Sequence, residues 1–128
     1  MKNLIFISVF LLTLVGCEED DFFARFGPEI LFYQYNEVET ADFNSITLNE
    51  EAMYTLKARV SAPNKLFRID VYRDNALTRS ITDFSQEIKS TEYFLLEEVK
   101  NITGAIKIKV IATDQNGKQS EKVFSINR

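Results

Sequence analysis

Apolar and polar residues alternate with a period of two along most of the chain after residue 52, and this pattern constrains the fold more than any other feature. Successive side chains on a β-strand point to opposite faces, so each alternating run predicts a strand with one buried face. The inward positions predicted in this way are Tyr54, Leu56, Ala58 and Val60; Phe67, Ile69 and Val71; Ile106, Ile108, Val110 and Ala112; and Phe124 and Ile126. Lys122 shares the face of Phe124, which requires either a lysine that snorkels to the rim or a bulge that shifts the register.

Turn-forming residues separate these runs. Proline and asparagine interrupt the chain at 62–65, Asp74-Asn75 ends the next run, and Asp114-Gln115-Asn116-Gly117 stands between two alternating runs, where Asn-Gly strongly predicts a hairpin. Weaker strands are expected at 29–35, 46–48, 77–84 and 92–96. Residues 97–104 are interpreted as a loop or a single helical turn.

About seven short strands with a turn signal every ten residues or so predict an all-β antiparallel sandwich. The segment 106–117 resembles the last hairpin of bacterial immunoglobulin-like and fibronectin-III-like domains. The chain has a single cysteine and no tryptophan. It therefore lacks the disulfide and buried tryptophan of antibody domains, which favours the fibronectin-III-like branch. A five-stranded oligonucleotide-binding barrel is the alternative, and the nearly neutral charge of residues 22–128 disfavours it.

The N-terminal residues have the pattern of a secretion signal. Lys2 precedes the apolar run 4–15, which is long enough for a signal-peptide core and too short to span a bilayer. The run ends in Leu14-Val15-Gly16-Cys17, which matches the lipoprotein box of bacterial lipoproteins. The resemblance implies cleavage before Cys17, a thioether-linked diacylglycerol on that cysteine, and usually an acylated amine. We therefore expect a signal peptide at 1–16, a lipidated tether at 17–27 and a sandwich domain at 28–128.

Four acidic residues follow the cysteine: Glu18, Glu19, Asp20 and Asp21. They resemble the export signal of surface lipoproteins of the Bacteroidota, which implies anchorage in the outer membrane with the domain on the cell surface. As an alternative to an export signal, the acidic run is a solvated linker that is repelled from anionic headgroups. The alternative location of the domain is the periplasmic side.

The charge and composition exclude several kinds of function. The net charge is −4, and the acids at 18–21 account for most of it. No basic surface for nucleic acid is expected. Histidine is absent and Cys17 is the only cysteine, so the usual general base, an imidazole metal site and a thiolate zinc site cannot form within one chain. We expect no enzymatic activity, no cofactor and no bound metal.

Two acidic features have residue types that could form a site of chemistry. The pairs Glu50-Glu51 and Glu97-Glu98 are predicted in or beside turns, where burial would not raise a carboxyl pKa as a glycosidase requires. Asp114-Gln115-Asn116-Gly117 offers oxygen donors that could form half of a calcium loop. Glu121 comes too early to complete such a loop, and a hairpin turn explains each residue.

Aromatic residues are the better candidates for ligand contact. Exposed aromatic rings can stack on sugars, while neighbouring polar groups bind hydroxyls. Three tyrosines are predicted outside the core positions and are the candidate ligand-binding residues: Tyr33, Tyr72 and Tyr93.

In a sandwich of this kind the first strand begins at the end that carries turns 62–65 and 114–117, so a lipid tether enters there. The opposite end then presents residues 36–45, 73–76 and 97–104 to partners outside the membrane. The leading hypothesis is a non-enzymatic, membrane-anchored binding or accessory module for glycan capture or for assembly with an outer-membrane protein. The alternative is a structural subunit or spacer of a surface appendage or envelope complex.

Overall fold

The computed structural model describes residues 26–34, 43–84 and 91–128, and all regular structure in these residues is β-strand. The eight strands are β1 (Glu29–Tyr33), β2 (Ser45–Thr47), β3 (Tyr54–Ser61), β4 (Leu66–Arg73), β5 (Ala76–Ile81), β6 (Glu92–Val99), β7 (Ile106–Asp114) and β8 (Gln119–Asn127). The predicted signal peptide, Cys17 and the acidic run 18–21 lie outside the described residues, as does most of the predicted loop 36–45. No helix in the described parts of the chain is long and apolar enough to cross a membrane.

The strands form two sheets. One has three strands in the order β1-β3-β6, and the other has five in the order β2-β8-β7-β4-β5. All neighbours are antiparallel except β2, which runs parallel to β8. With β1, β3 and β6 as strands A, B and E, and β4, β5, β7 and β8 as C, C′, F and G, this is the strand arrangement of an immunoglobulin-like sandwich. The predicted fold class is confirmed, with one more strand than expected.

The core lies between the two sheets, and the alternation predicted most of it. Leu56, Val60, Val110, Phe124 and Ile126 are all fully buried. Phe32 of the three-stranded sheet meets Phe124 of the five-stranded sheet edge to face, with ring centroids 5.2 Å apart. Edge-to-face packing adds about 0.5–1.5 kcal/mol beyond the burial of the rings.

Phe67 was predicted inward and is not. The pairing of β4 with β7 shifts between Leu66 and Arg68, so Phe67 is the extra residue of a β-bulge. Leu66 occupies the buried position instead, and Phe67 is 50% exposed. The alternation of Ile69 and Val71 resumes after the bulge.

The interpretation of 97–104 as a loop or helical turn is wrong for its first part. β6 continues to Val99 and pairs with β3 without interruption from Glu92 to Val99. The exposed Phe94 and Leu96 conceal the alternation of this strand, because both of its faces carry apolar residues.

The register of β7 with β8 is continuous, so no bulge accounts for Lys122. Its ammonium group lies 5.6 Å from the centroid of the Phe32 ring at the rim of the core. Lys122 therefore snorkels, and its cation–π contact offsets part of the cost of its partial burial.

The hairpin between β7 and β8 forms as predicted. Asp114 accepts hydrogen bonds at Oδ1 from the N–H groups of Asn116 and Lys118, both at 2.9 Å. Gly117 has φ +81°, a conformation that costs a glycine little and other residues more. The carboxylate of Asp114 thus stabilises the turn through these hydrogen bonds.

The two ends of the sandwich carry different segments. At the end where β1 begins, Asn64 Nδ2 donates a 3.3 Å hydrogen bond to the carbonyl of Phe26, and Gln115 N–H donates to the carbonyl of Lys65 at 2.9 Å. We call this end, with turns 62–65 and 114–118, the proximal end. The distal end carries segment 48–53, turn 74–75 and segment 100–105. The placement of turns 62–65 and 114–117 beside the start of β1 is as predicted.

Candidate functional site

The three candidate tyrosines do not converge. Tyr33 pairs with Lys57 on the outer face of the three-stranded sheet, and Tyr72 pairs with Lys109 on the outer face of the five-stranded sheet. The Lys109 ammonium group lies 5.0 Å from the Tyr72 ring centroid, a cation–π distance. These two tyrosines therefore lie on opposite sides of the sandwich.

Tyr93 was predicted outside the core, and the structure places it against the core. It pairs with the fully buried Val60, and directly paired residues share one face of a sheet. Its ring meets that of the buried Phe84 edge to face at 5.6 Å. An inward tyrosine offers no open stacking face, so Tyr93 is a poor candidate for ligand contact.

A cleft of about 540 Å³ opens at the distal end beside Tyr33, within the usual size range of small-molecule sites. We call it the distal cleft. Its lining residues come from the end of β1, from β2, from segment 48–53 and from the start of β3: Tyr33, Gln34, Ile46, Thr47, Leu48, Asn49, Glu51, Met53, Tyr54, Thr55 and Lys57.

Hydrogen bonds to main-chain carbonyl groups hold the segments around the cleft in place. Leu48 N–H donates to the carbonyl of Asn127 at 2.8 Å, which continues the pairing of β2 with β8. Ile102 N–H donates to the carbonyl of Ala52 at 2.9 Å. Arg128 donates to the carbonyls of Glu50 and Ile102 at 3.1 and 3.0 Å. Segment 48–53 is thereby fixed to strand β8 and to the loop before β7.

Tyr54 is the aromatic residue of the cleft that packs on the core. Its ring stacks on Phe124 with a centroid distance of 5.9 Å and an angle of 5° between planes. Phe124 is itself fully buried and packs edge to face on Phe32 and Phe43, with both centroid distances at 5.2 Å. One wall of the cleft is therefore continuous with the aromatic core.

Glu51 supplies a carboxylate at the rim. Its Oε2 accepts hydrogen bonds from the N–H groups of Asn49 at 2.9 Å and Glu50 at 3.2 Å. Hydrogen bonds from backbone N–H groups, its own first and that of Asn49 next, lower the pKa of Glu51 from its ordinary value of 4.5. A general acid needs a raised pKa, so this shift suits an acceptor of hydrogen bonds and opposes proton donation.

The pair Glu97-Glu98 does not form a catalytic site either. The two residues are consecutive on β6 and point to opposite faces. The Glu97 carboxylate lies 3.2 Å from Arg79, and that of Glu98 lies 3.6 Å from Lys100. Each carboxylate therefore has a cation of its own.

The distal cleft combines aromatic and apolar surface with polar groups. Tyr33 and Tyr54 offer aromatic surface, Met53 is 54% exposed, and Asn49, Glu51 and Lys57 offer polar groups of different kinds. Within the ranges 26–34, 43–84 and 91–128, no group of three or more acidic, histidine or cysteine residues could hold a metal ion. An apolar face beside a few polar groups is the kind of lining found in small-molecule sites.

Sequence reasoning found Tyr33 and missed most of its neighbours. Tyr54 was assigned to the core, where its alternation places it, and Asn49 and Met53 have no distinguishing pattern. The parallel pairing of β2 with β8 brings segment 48–53 beside Tyr33. No local motif encodes that pairing.

Comparison with known proteins finds similarity among solved structures. No family model matches this chain, and no curated protein matches it. Among solved structures it is similar to the fibronectin(III)-like modules of CbhA from Clostridium thermocellum. The two are 20% identical, with 77% of this chain and 94% of that chain covered and a TM-score of 0.46. The strand order and register of this chain define its fold independently of that likeness.

Proposed function

We propose that this protein is a non-enzymatic binding module, anchored to the outer membrane by lipid on Cys17, that captures a glycan in its distal cleft. The observation that carries the proposal is the position of the cleft. The chain from Cys17 enters the sandwich at the start of β1, at the proximal end. The cleft opens at the opposite, distal end. A ligand approaching from outside the membrane would meet this end first.

The lipid anchor and the location are supported by sequence alone. The lipoprotein box ending at Cys17 and the acidic residues Glu18, Glu19, Asp20 and Asp21 favour a surface lipoprotein, with the periplasmic face as the alternative. Two acyl groups would hold the chain stably, whereas one gives only marginal membrane binding.

The chemistry of the cleft supports a neutral glycan as the ligand. Tyrosine rings pack on the apolar face of a sugar, and an ionised carboxylate accepts hydrogen bonds from hydroxyl groups. Glu51 would act in this way beside Tyr33.

The experiment is a screen of the intact protein, isolated with its anchor in detergent, against neutral and acidic polysaccharides. Tyr33→Ala should weaken binding of a true ligand about tenfold, because a stacking tyrosine contributes about 1–3 kcal/mol. Tyr72→Ala is the matched control on the opposite face and should leave affinity unchanged. A polysaccharide bound equally well by both variants and the wild type would contradict capture in the cleft.

A second candidate function is assembly with a protein partner, as a structural subunit or spacer of an envelope complex. Phe94 and Leu96 on the outer face of β6 are 54% and 55% exposed. Among the described residues β6 is an edge strand of eight residues, and a long apolar edge is a site where another strand can pair. Loss of a co-purifying partner in a Phe94→Ser, Leu96→Ser chain, with Tyr33→Ala silent, would favour this function.

A further inference from the structure

The proximal end carries two exposed aromatic side chains. Phe26 is 48% exposed and Phe67 is 50% exposed. Phe26 is held to turn 62–65 by the hydrogen bond from Asn64, and Phe67 follows that turn at the bulge of β4. The β7–β8 turn lies beside turn 62–65. The backbone N–H of Gln115 donates a hydrogen bond to the carbonyl of Lys65, and its side-chain Nε2 donates one of 3.1 Å to the carbonyl of Leu66. We call Phe26 with segments 62–67 and 115–119 the proximal tip.

The charges of the proximal tip are positive. Lys65 and Lys118 are exposed, and segments 62–67 and 115–119 contain no acidic residue. Asp114 precedes the second segment but is 1% exposed, with Oδ1 bound to turn N–H groups. Two exposed acids of the three-stranded sheet, Glu29 and Glu92, line the same shallow pocket as Phe26 and Pro63 and flank the tip on that side. Aromatic rings beside lysines fit the boundary between acyl chains and phosphate headgroups.

The length of the chain outside the described residues limits how far this surface can lie from a membrane. Eight residues, 18–25, lie between Cys17 and Phe26. Fully extended, the chain from Cys17 to Phe26 spans at most about 30 Å. With the proposed lipid anchor on Cys17, the proximal tip therefore lies within about 30 Å of the bilayer.

We propose that the proximal tip is a membrane-docking surface: Phe26 and Phe67 enter the headgroup region of the anchoring bilayer, and Lys65 and Lys118 contact lipid phosphates. The proposal rests on the proposed lipid anchor at Cys17. Docking gives the domain a fixed orientation in which the distal cleft faces away from the membrane. It gives the bulge of β4 a role, because the bulge is what turns Phe67 out of the core.

The sequence contains no tryptophan, so a single introduced tryptophan reports on its own surroundings. The test uses the full lipidated chain in vesicles of phosphatidylethanolamine and phosphatidylglycerol whose acyl chains carry bromine, a short-range quencher. Phe67→Trp places the reporter in the proximal tip. Leu77→Trp is the matched control, since Leu77 is 56% exposed and lies at the distal end of β5. Phe26→Trp repeats the measurement should Phe67→Trp fold poorly.

Docking predicts strong quenching of the Phe67→Trp chain and little quenching of the Leu77→Trp chain. Adding Lys65→Glu and Lys118→Glu to Phe67→Trp should reduce the quenching. Equal quenching at both positions, or none at either, would overturn the proposal. So would a blue-shifted Phe67→Trp spectrum that depends on protein concentration without vesicles, because it would show that a second copy covers the tip.

Mass spectrometry of the isolated protein tests the lipid anchor on Cys17 separately from docking of the proximal tip. Acyl groups on Cys17 with an unquenched Phe67→Trp chain would leave the anchor standing and refute docking. Absence of acyl groups would refute both.

Discussion

Val110 and Lys109 are neighbours in β7, yet their side chains lie in opposite environments. Val110 is fully buried between the sheets, while Lys109 lies on the outer face with its ammonium group 5.0 Å from the centroid of the Tyr72 ring. The same contrast separates Tyr33, which lines the distal cleft, from Phe32, which is buried against Phe124. For a single residue, the face of the strand on which its side chain lies decides how far a substitution lowers the free energy of unfolding.

Val110→Asp should unfold the domain, because a carboxylate in the core has no partner and costs about 3 kcal/mol or more. Lys109→Asp should cost about 0.5–1 kcal/mol, mainly from the lost contact with Tyr72. Thermal denaturation followed by circular dichroism measures both. Equal loss of stability in the two variants would contradict the assignment of faces in β7.

Strand β4 shows how an element departs from its own pattern. A perfect alternation through Phe67, Ile69 and Val71 would bury all three. The bulge inserts one residue opposite β7, so Leu66 and Ile69 are buried and Phe67 is turned outward. β6 shows the converse, since its register with β3 is regular while its sequence is apolar on both faces.

Leu66→Ala should destabilise the domain by about 2–5 kcal/mol, since Leu66 is 1% exposed and its truncation leaves a cavity. Phe67→Ala should cost less than about 1 kcal/mol, although phenylalanine is the larger side chain. Urea denaturation of both variants measures the difference. A greater loss for Phe67→Ala would mean that the bulge is misplaced.

The two ends of the whole molecule differ, and the strand topology decides which segments lie at each end. The chain enters the sandwich beside turns 62–65 and 114–118, and the distal cleft opens at the other end, where β1 ends and β3 begins. Binding sites in β-sandwiches commonly lie on loops at one end, held by a rigid core. In this domain the aromatic contacts of Phe124 connect that core to the wall of the cleft.

Cys17→Ala should prevent lipidation and release the domain in soluble form, because the anchor would be lost while the sandwich keeps all its contacts. Metabolic labelling with a fatty-acid analogue and fractionation of cells measure this. Protease treatment of intact cells then shows whether the wild-type domain lies on the surface. Label that persists on the variant would refute the lipoprotein hypothesis.

Local sequence pattern was enough to predict the fold class, most of the core and the hairpin at 114–117, because period-two alternation and Asn-Gly turns act through neighbouring residues. It could not predict that Phe67 turns outward, that Tyr93 turns inward or that segment 48–53 forms a cleft with Tyr33. These features depend on how distant strands pair: the bulge of β4 against β7, the register of β6 with β3, and the parallel pairing of β2 with β8. Alternation fixes the two faces of a strand, but when both are apolar only the register with its neighbours selects the one that is buried.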